Sequence, residues 1–301
     1  MAGSTPASAW AETGARGPGA LGGGFLGRVA TAILRDRAAL AGCLIVGAFL
    51  IVGASAERLP LASPLRMVPQ DRMAGPSWAL PLGADVFGRD LLARLVYGAR
   101  LSLEVAFASV LAALVAGSGL GLLAGYAGGR TDQALMRVMD IFFSFPAVLL
   151  ALGIVAALGP RPSNVMLAIA VVYTPIFARV VRGPVLALKE REFVEASRAL
   201  GAPAGRIVGR HILPNLASIL VVQTSIALSW AILTEASLSF LGLSAQPPTP
   251  SWGAMLNEGR QNMELAPHLA VFPGLAIMLA VLGFNLLGDG LRDALDPRKG
   301  S

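Results

Sequence analysis

The sequence predicts an all-α polytopic membrane protein with six transmembrane helices. The 301 residues are 55% hydrophobic and only 14% charged, where a soluble domain carries about 25% charged residues. Mean hydropathy is +0.67, more apolar surface than water can solvate. Charge-free runs of membrane-crossing length recur along the chain, at 38–56, 105–129, 141–160, 162–178, 212–234 and 269–288. A hydrocarbon core of ~30 Å is crossed by ~20 helical residues, so each run is a candidate span.

Taken in order, residues 1–27 are rich in Gly, Ala, Ser and Pro and lack a signal-peptide core, which predicts a disordered cytoplasmic tail. Residues 28–80 hold the first span and the outer loop after it. Cys43 lies in that span and is the only cysteine, so no internal disulfide or cysteine-based metal site can form. His211 and His268 fall on opposite sides of the predicted topology, which argues against a histidine-paired metal site. The second span carries Gly117, Gly121 and Gly125 at four-residue spacing, a face that lets another backbone approach closely. Pro146, Pro175 and Pro273 lie within the third, fourth and sixth spans and predict kinks. The short fourth run reaches membrane length by continuing to Val181, with Arg179 snorkelling outward. Glu235 closes the fifth span and is a candidate pathway or gate residue. Glu104 and Asp140 sit at helix boundaries as capping or interfacial groups. Pro247, Pro248 and Pro250, followed by Trp252, predict a stiff surface or re-entrant element with an interfacial aromatic, a second candidate for the outer gate.

Orientation follows from Lys and Arg. With the N-terminus inside, inner segments carry sixteen and outer segments eight. The sequence therefore predicts both termini in the cytoplasm. The six arginines of 57–100 are the one segment against this trend.

The loop 189–214 is polar, basic and helix-forming although it lies between apolar runs. Residues 189–200 read as an amphipathic helix with Phe193, Ala196, Ala199 and Leu200 on its apolar side. Gly201 suits a helix end that needs a left-handed residue. Pro203 suits the first turn of a second short helix, and Pro214 and Asn215 mark the start of the fifth span.

This loop resembles the signature of bacterial ABC-importer permeases: Glu-Ala-Ala, three residues, Gly, nine residues, Ile-x-Leu-Pro. Glu195, Ala196, Gly201, Leu213 and Pro214 stand at the required spacings, while Ser197 replaces an alanine and His211 an isoleucine. PLGADVFGRDLLARLVYGARLSL (81–103, with Ala84 where threonine is common), LSFLGLSAQPPTPSWGAMLNEGR (238–260) and LLGDGLRDALDPR (286–298) are similar to the C-type subunit of dipeptide/oligopeptide permeases. The resemblance spans roughly 28–301. It implies a type I importer permease fold, with residues 81–301 as a five-helix core, in the bacterial inner membrane. It further implies a heterodimer with a second permease, two ATP-binding subunits, one of which docks on the 189–214 coupling loop through Glu195, Ala196, Ser197, Gly201, Leu213 and Pro214, and an extracytoplasmic substrate-binding protein. ATP and Mg would belong to the partner ATPases. The cargo implied is peptides, nickel, glutathione or other small solutes.

The chain itself offers no phosphate-cradling Gly-Lys-Ser/Thr loop, since its lysines are Lys189 after Leu188 and Lys299 after Arg298. Cofactors are therefore expected to be none in this chain. A secondary transporter would show repeated halves and deep coupling carboxylates, a channel a ringed filter, and an enzyme a clustered nucleophile, metal site or carboxylate pair. None is visible. Arginines flank apolar runs without aromatic interleaving, which argues against nucleic acid.

Overall fold

The computed structural model describes residues 33–34 and 36–295; the tail expected over 1–27 and the end containing Asp296 lie outside the described residues. The long apolar runs form α1 (Arg37–Ser55), α2 (Leu91–Ala127), α5 (Pro162–Leu188), α8 (Leu213–Phe240) and α10 (His268–Leu295). Each is long and apolar enough to cross a membrane. Between α2 and α5 lie α3 (Gly129–Phe143) and α4 (Ala147–Leu158), bent 88° to one another. Three shorter elements are α6 (Glu192–Ala199), α7 (Ala204–Ile207) and α9 (Trp252–Arg260). Counting α3–α4 as one broken span gives six crossings.

Several boundaries differ from the apolar runs, for physical reasons. α2 starts at Leu91, capped by the Asp90 carboxylate accepting from Leu92 N and Ala93 N, well before the expected residue 105. Arg94 and Arg100 interrupt the charge-free run but are ion-paired, to Asp85 and Glu57 respectively. Glu104 accordingly sits inside α2, not at its edge. The third span is not a kinked helix. Pro146 adopts an extended conformation (φ −57°, ψ 130°) and divides it. Pro175 and Pro273, by contrast, lie inside continuous helices. α5 runs past Arg179 and Arg182 to Leu188, and α8 runs past Glu235 to Phe240.

The main core joins α2, α4, α5, α8 and α10, with Phe177, Ile169, Ile232 and Phe284 among its buried side chains. Its most extensive seam is α2 against α5. A Cβ at Gly117 would stand 2.4 Å from Thr174 O, one at Gly121 2.4 Å from Ala178 O, and one at Gly125 2.8 Å from Val185 Cβ. The expected small-residue face is therefore a backbone-to-backbone packing face.

Gly121→Val should force α2 and α5 apart and cost about 1–3 kcal/mol, the usual scale of overpacking. Gly119→Ala on the same helix, where nothing lies within 4 Å, should be neutral or mildly stabilising. Thermal unfolding of the detergent-solubilised subunit checks the pair.

Candidate functional site

The loop between α5 and α8 is a bent arm built on a second, separate core. Val194 of α6 is fully buried with Ile207, Ile212 and Leu216, against Val181 and Val185 of α5; Leu122 and Tyr126 of α2 pack on this cluster. Thus the arm is plugged by one valine into the ends of three long helices.

The bend follows α6. Gly201 has φ +79°. Its N–H donates to Arg198 O at 3.0 Å, and Ala202 N–H donates to Ser197 O at 3.1 Å. This pair of bonds is a Schellman closure, which satisfies the last carbonyls of α6 and needs a left-handed residue at the glycine position. A Cβ at Gly201 would meet nothing within 4 Å, so the requirement is conformational, not spatial.

The apolar stripe of this helix faces out. Phe193 is 43% and Leu200 88% exposed, and Ala196 and Ala199 are exposed beside them. Only Val194 is buried, with Ser197 partly so. Periodicity detects a face that needs cover but not whether the cover lies in the same chain. Glu195 is exposed on this helix and makes no side-chain hydrogen bond or ion pair among the described residues. Ser197 Oγ donates to Phe193 O at 2.8 Å and lies 3.3 Å from His211 Nε2. An open hollow of about 430 Å³ beside the bend is lined by Leu200, Gly201, Arg206, Arg210 and His211, among others.

Leu213 and Pro214 do not mark a fresh start. α7 passes through a π turn, Val208–Ile212, straight into α8. Proline lacks an N–H and its ring collides with the carbonyl four residues back; a widened turn accommodates both. Asn215 Nδ2 donates to His211 O at 2.6 Å, occupying a carbonyl in that turn.

At the opposite end of the bundle stands a charge cluster that the sequence reading missed. Asp85, Arg89 and Arg94 are 3%, 2% and 1% exposed. Arg89 Nε and Arg94 Nη1 both donate to Asp85 Oδ2, at 2.5 and 2.6 Å. Arg94 Nη2 also donates to Glu258 of α9 at 3.1–3.2 Å. The available signal was the arginine inside DLLARLVYGARL, a charge in a segment otherwise fit for a buried helix. Burial pushes the Glu258 carboxyl above the usual glutamate range, Arg89 draws it back, and Asp85 adds to the rise.

Glu235 and Trp252 are both fully buried in this end. Glu235 Oε1 accepts from Ser244 Oγ at 3.4 Å, and its other oxygen has no partner among the described residues. Trp252 is not an interfacial aromatic. Ser251 caps α9, with its Oγ accepting from Ala254 N, and the first-turn indole points inward. Trp252 Nε1 donates to Leu95 O at 3.1 Å, and its ring meets Phe49 edge-on at 5.3 Å. Neither residue lines the 230 Å³ cavity between α4, α5 and α8, whose walls are Ala147 and Val148, then Tyr173, Ile176 and Phe177, then Gln223, Ala227, Trp230 and Thr234. Tyr173 Oη and Thr234 Oγ1 share a hydrogen bond at 2.9 Å.

With this geometry in hand, known proteins are informative. Residues 117–301 match the family described as binding-protein-dependent transport system inner membrane component. The chain is 48% identical over 264 residues to the dipeptide transport system permease protein DppC of Alkalihalophilus pseudofirmus, covering 88% of this chain and 87% of that one. It is 48% identical over 266 residues to the glutathione transport system permease protein GsiD of Pectobacterium atrosepticum, covering 88% of each. A structure of the inward-facing MetNI methionine ABC transporter shares the fold at TM-score 0.55 and 22% identity, covering 68% of this chain and 98% of the matched one.

Two outcomes follow from the two ends. At the bend, Gly201→Val should destabilise the turn by about 1–2 kcal/mol, the scale of left-handed strain, and Gly201→Asn, which tolerates that region, by less; hydrogen exchange of 192–207 reads the difference. At the cluster, Asp85→Asn leaves two buried guanidiniums on one carboxylate and should cost about 3–5 kcal/mol. Because the folded Glu258 pKa is raised, its stabilising contribution is full below the ordinary glutamate pKa and is lost as pH rises through the folded value. Glu258→Gln should therefore flatten the fall in unfolding midpoint over that interval.

Proposed function

The chain belongs to the family of binding-protein-dependent transport inner membrane components, the permease subunits of ABC importers, and from that premise we propose that it builds one half of a pathway for short peptides or related small solutes. The relatives named for dipeptide and glutathione transport support the peptide class. The second half of the pathway is a different permease. Two ATPases bind ATP and Mg and supply the work, and an extracytoplasmic binding protein delivers the cargo.

The observation that carries the mechanism is the uncovered apolar face of α6, Phe193–Ala196–Leu200, on an arm rooted in the ends of α2, α5 and α8. A face of this kind on a fixed lever is a docking element for another protein. In our reading an ATPase cleft covers it, with Glu195 free to make a charged or capping contact there, and Gly201 and Pro214 setting the angle of the arm. When the ATPases close, the arm moves and access switches sides. The free energy for the switch is the difference in ATPase contact between the two states.

The arm then lies in the cytoplasm, with both termini, in line with the sixteen-to-eight Lys/Arg balance. Of the six arginines in 57–100, Arg89 and Arg94 are locked in buried ion pairs and Arg100 in a pair with Glu57. Glu235 and Trp252 would influence an outer gate through packing rather than by touching cargo.

Proteoliposomes containing this chain, its second permease, both ATPases and the binding protein should accumulate labelled dipeptide only with ATP. Val194→Asp, which drives a charge into the arm's core, should abolish uptake while leaving nucleotide binding to the ATPases intact. Uptake by the chain alone, or full activity of the variant, would refute the reading.

A further inference from the structure

Two ion pairs tie the broken segment to the helix that bears the arm. Arg182 of α5 grips Asp132 of α3 with two parallel bonds, Nε to Oδ1 at 2.5 Å and Nη2 to Oδ2 at 2.6 Å. Arg179, one turn earlier on α5, meets Asp140 at 2.5 Å and lies 3.8 Å over the Phe143 ring. Asp132 and Asp140 are about 12 Å apart along α3, at a rise of ~1.5 Å per residue, whereas Arg179 and Arg182 are about 4.5 Å apart along α5. The pairs therefore act as two pins at different points along α3. Two pins fix both the position and the angle of α3 on α5, which one pin cannot do.

Stability does not explain the Asp140–Arg179 pair. The Asp140 and Arg179 side chains are 54% and 44% exposed, and pairs of that kind add little to folding. Their value is geometric, and bidentate arginine–carboxylate contact is the most directional form of ion pair. The elements at each side of the pins are informative. α5 continues from Arg182 to Leu188 and leads into α6, the exposed arm. α3 continues from Asp140 to the Pro146 break, beyond which Ala147 and Val148 form one wall of the 230 Å³ cavity. The opposing walls, Tyr173 on α5 and Trp230 on α8, belong to the same bundle.

We propose that Asp132–Arg182 and Asp140–Arg179 are a transmission strap: they make α3, and through the Pro146 elbow the α4 wall of the cavity, follow the coupling arm. These four are positioning residues for transport; none touches cargo. The inference rests on the 189–214 loop being the ATPase-coupling element.

The test uses the reconstituted complex with binding protein, measuring ATP hydrolysis and labelled dipeptide uptake together. Asp132→Asn and Arg182→Gln should each lower solute delivered per ATP by about fivefold or more, the lower range of measured coupling between sites, while ATP hydrolysis and co-purification of all subunits persist. Arg182→Lys, which keeps the charge but loses the fork, should fall between. The exchanged pair, Asp132→Arg with Arg182→Asp, should regain most of the delivery per ATP. Unchanged delivery per ATP in the single variants, or an exchanged pair no better than either single, would overturn the strap. Val194→Asp in the same assay separates the two readings. If it uncouples while the strap variants do not, the strap alone is wrong. If neither uncouples, the coupling-loop reading fails and the strap with it.

Discussion

The backbone contact between α2 and α5 is the constraint from which the rest of the architecture follows. Within a bilayer, helices gain nothing from hiding apolar surface from lipid, so association depends on close fit. Gly117, Gly121 and Gly125 supply that fit by admitting the α5 backbone where any side chain would collide with Thr174, Ala178 or Val185. α5 is also the helix that delivers the chain to the exposed arm and bears Arg179 and Arg182. A seam that sets the position of α5 therefore sets the position of everything attached to it. Val185, at the foot of this seam, belongs to the arm's core as well, so packing inside the bundle and packing under the arm share an atom-level boundary.

Much of this was legible in the sequence. The number of crossings, their order, the inward small-residue face and the bend at Gly201 all follow from period, length and backbone chemistry. The misreadings share a cause: local pattern does not report partners. Arg94 counted against a helix beginning near Leu91 because hydropathy treats an ion-paired arginine as it treats a free one. Trp252 suggested an interface because aromatics favour interfaces, whereas the Ser251 cap starts a helix whose first turn faces the core. The stripe of Phe193, Ala196 and Leu200 was identified as apolar, but its period alone does not say that it faces away from this chain. Val194, the residue that roots the arm, stands between Phe193 and Glu195 with nothing in its neighbours to distinguish it.

The third span shows the same limit in another form. A window averaged over 141–160 reads as one continuous apolar helix. Its first turn belongs to an amphipathic helix that starts at Gly129 and pairs with α5 through charges. Pro146 cannot donate and its extended conformation turns the chain by 88°. The non-helical backbone at Ser144–Pro146 is tolerable at the membrane because neighbouring groups satisfy it: Ser144 N–H reaches Asp140 O and Ile141 O, and Ser144 Oγ donates to Ile141 O. The break leaves a gap beside Tyr173 and Trp230, and so produces the cavity.

The two ends of the bundle combine ion pairs and apolar packing in different proportions, the α9 end adding an apolar cluster of Leu91, Met255, Ala266 and Leu269. The end bearing α9 is fixed by Asp85, Arg89, Arg94 and Glu258. Buried ion networks often stabilise no more than apolar side chains of equal volume would, so what this one contributes is direction: its bonds are satisfied in one arrangement. The end bearing the arm is held by Val181, Val194, Ile207, Ile212 and Leu216, contacts that depend on area and not on angle. The arm end carries directional contacts as well, the Asp132–Arg182 and Asp140–Arg179 pairs on α5.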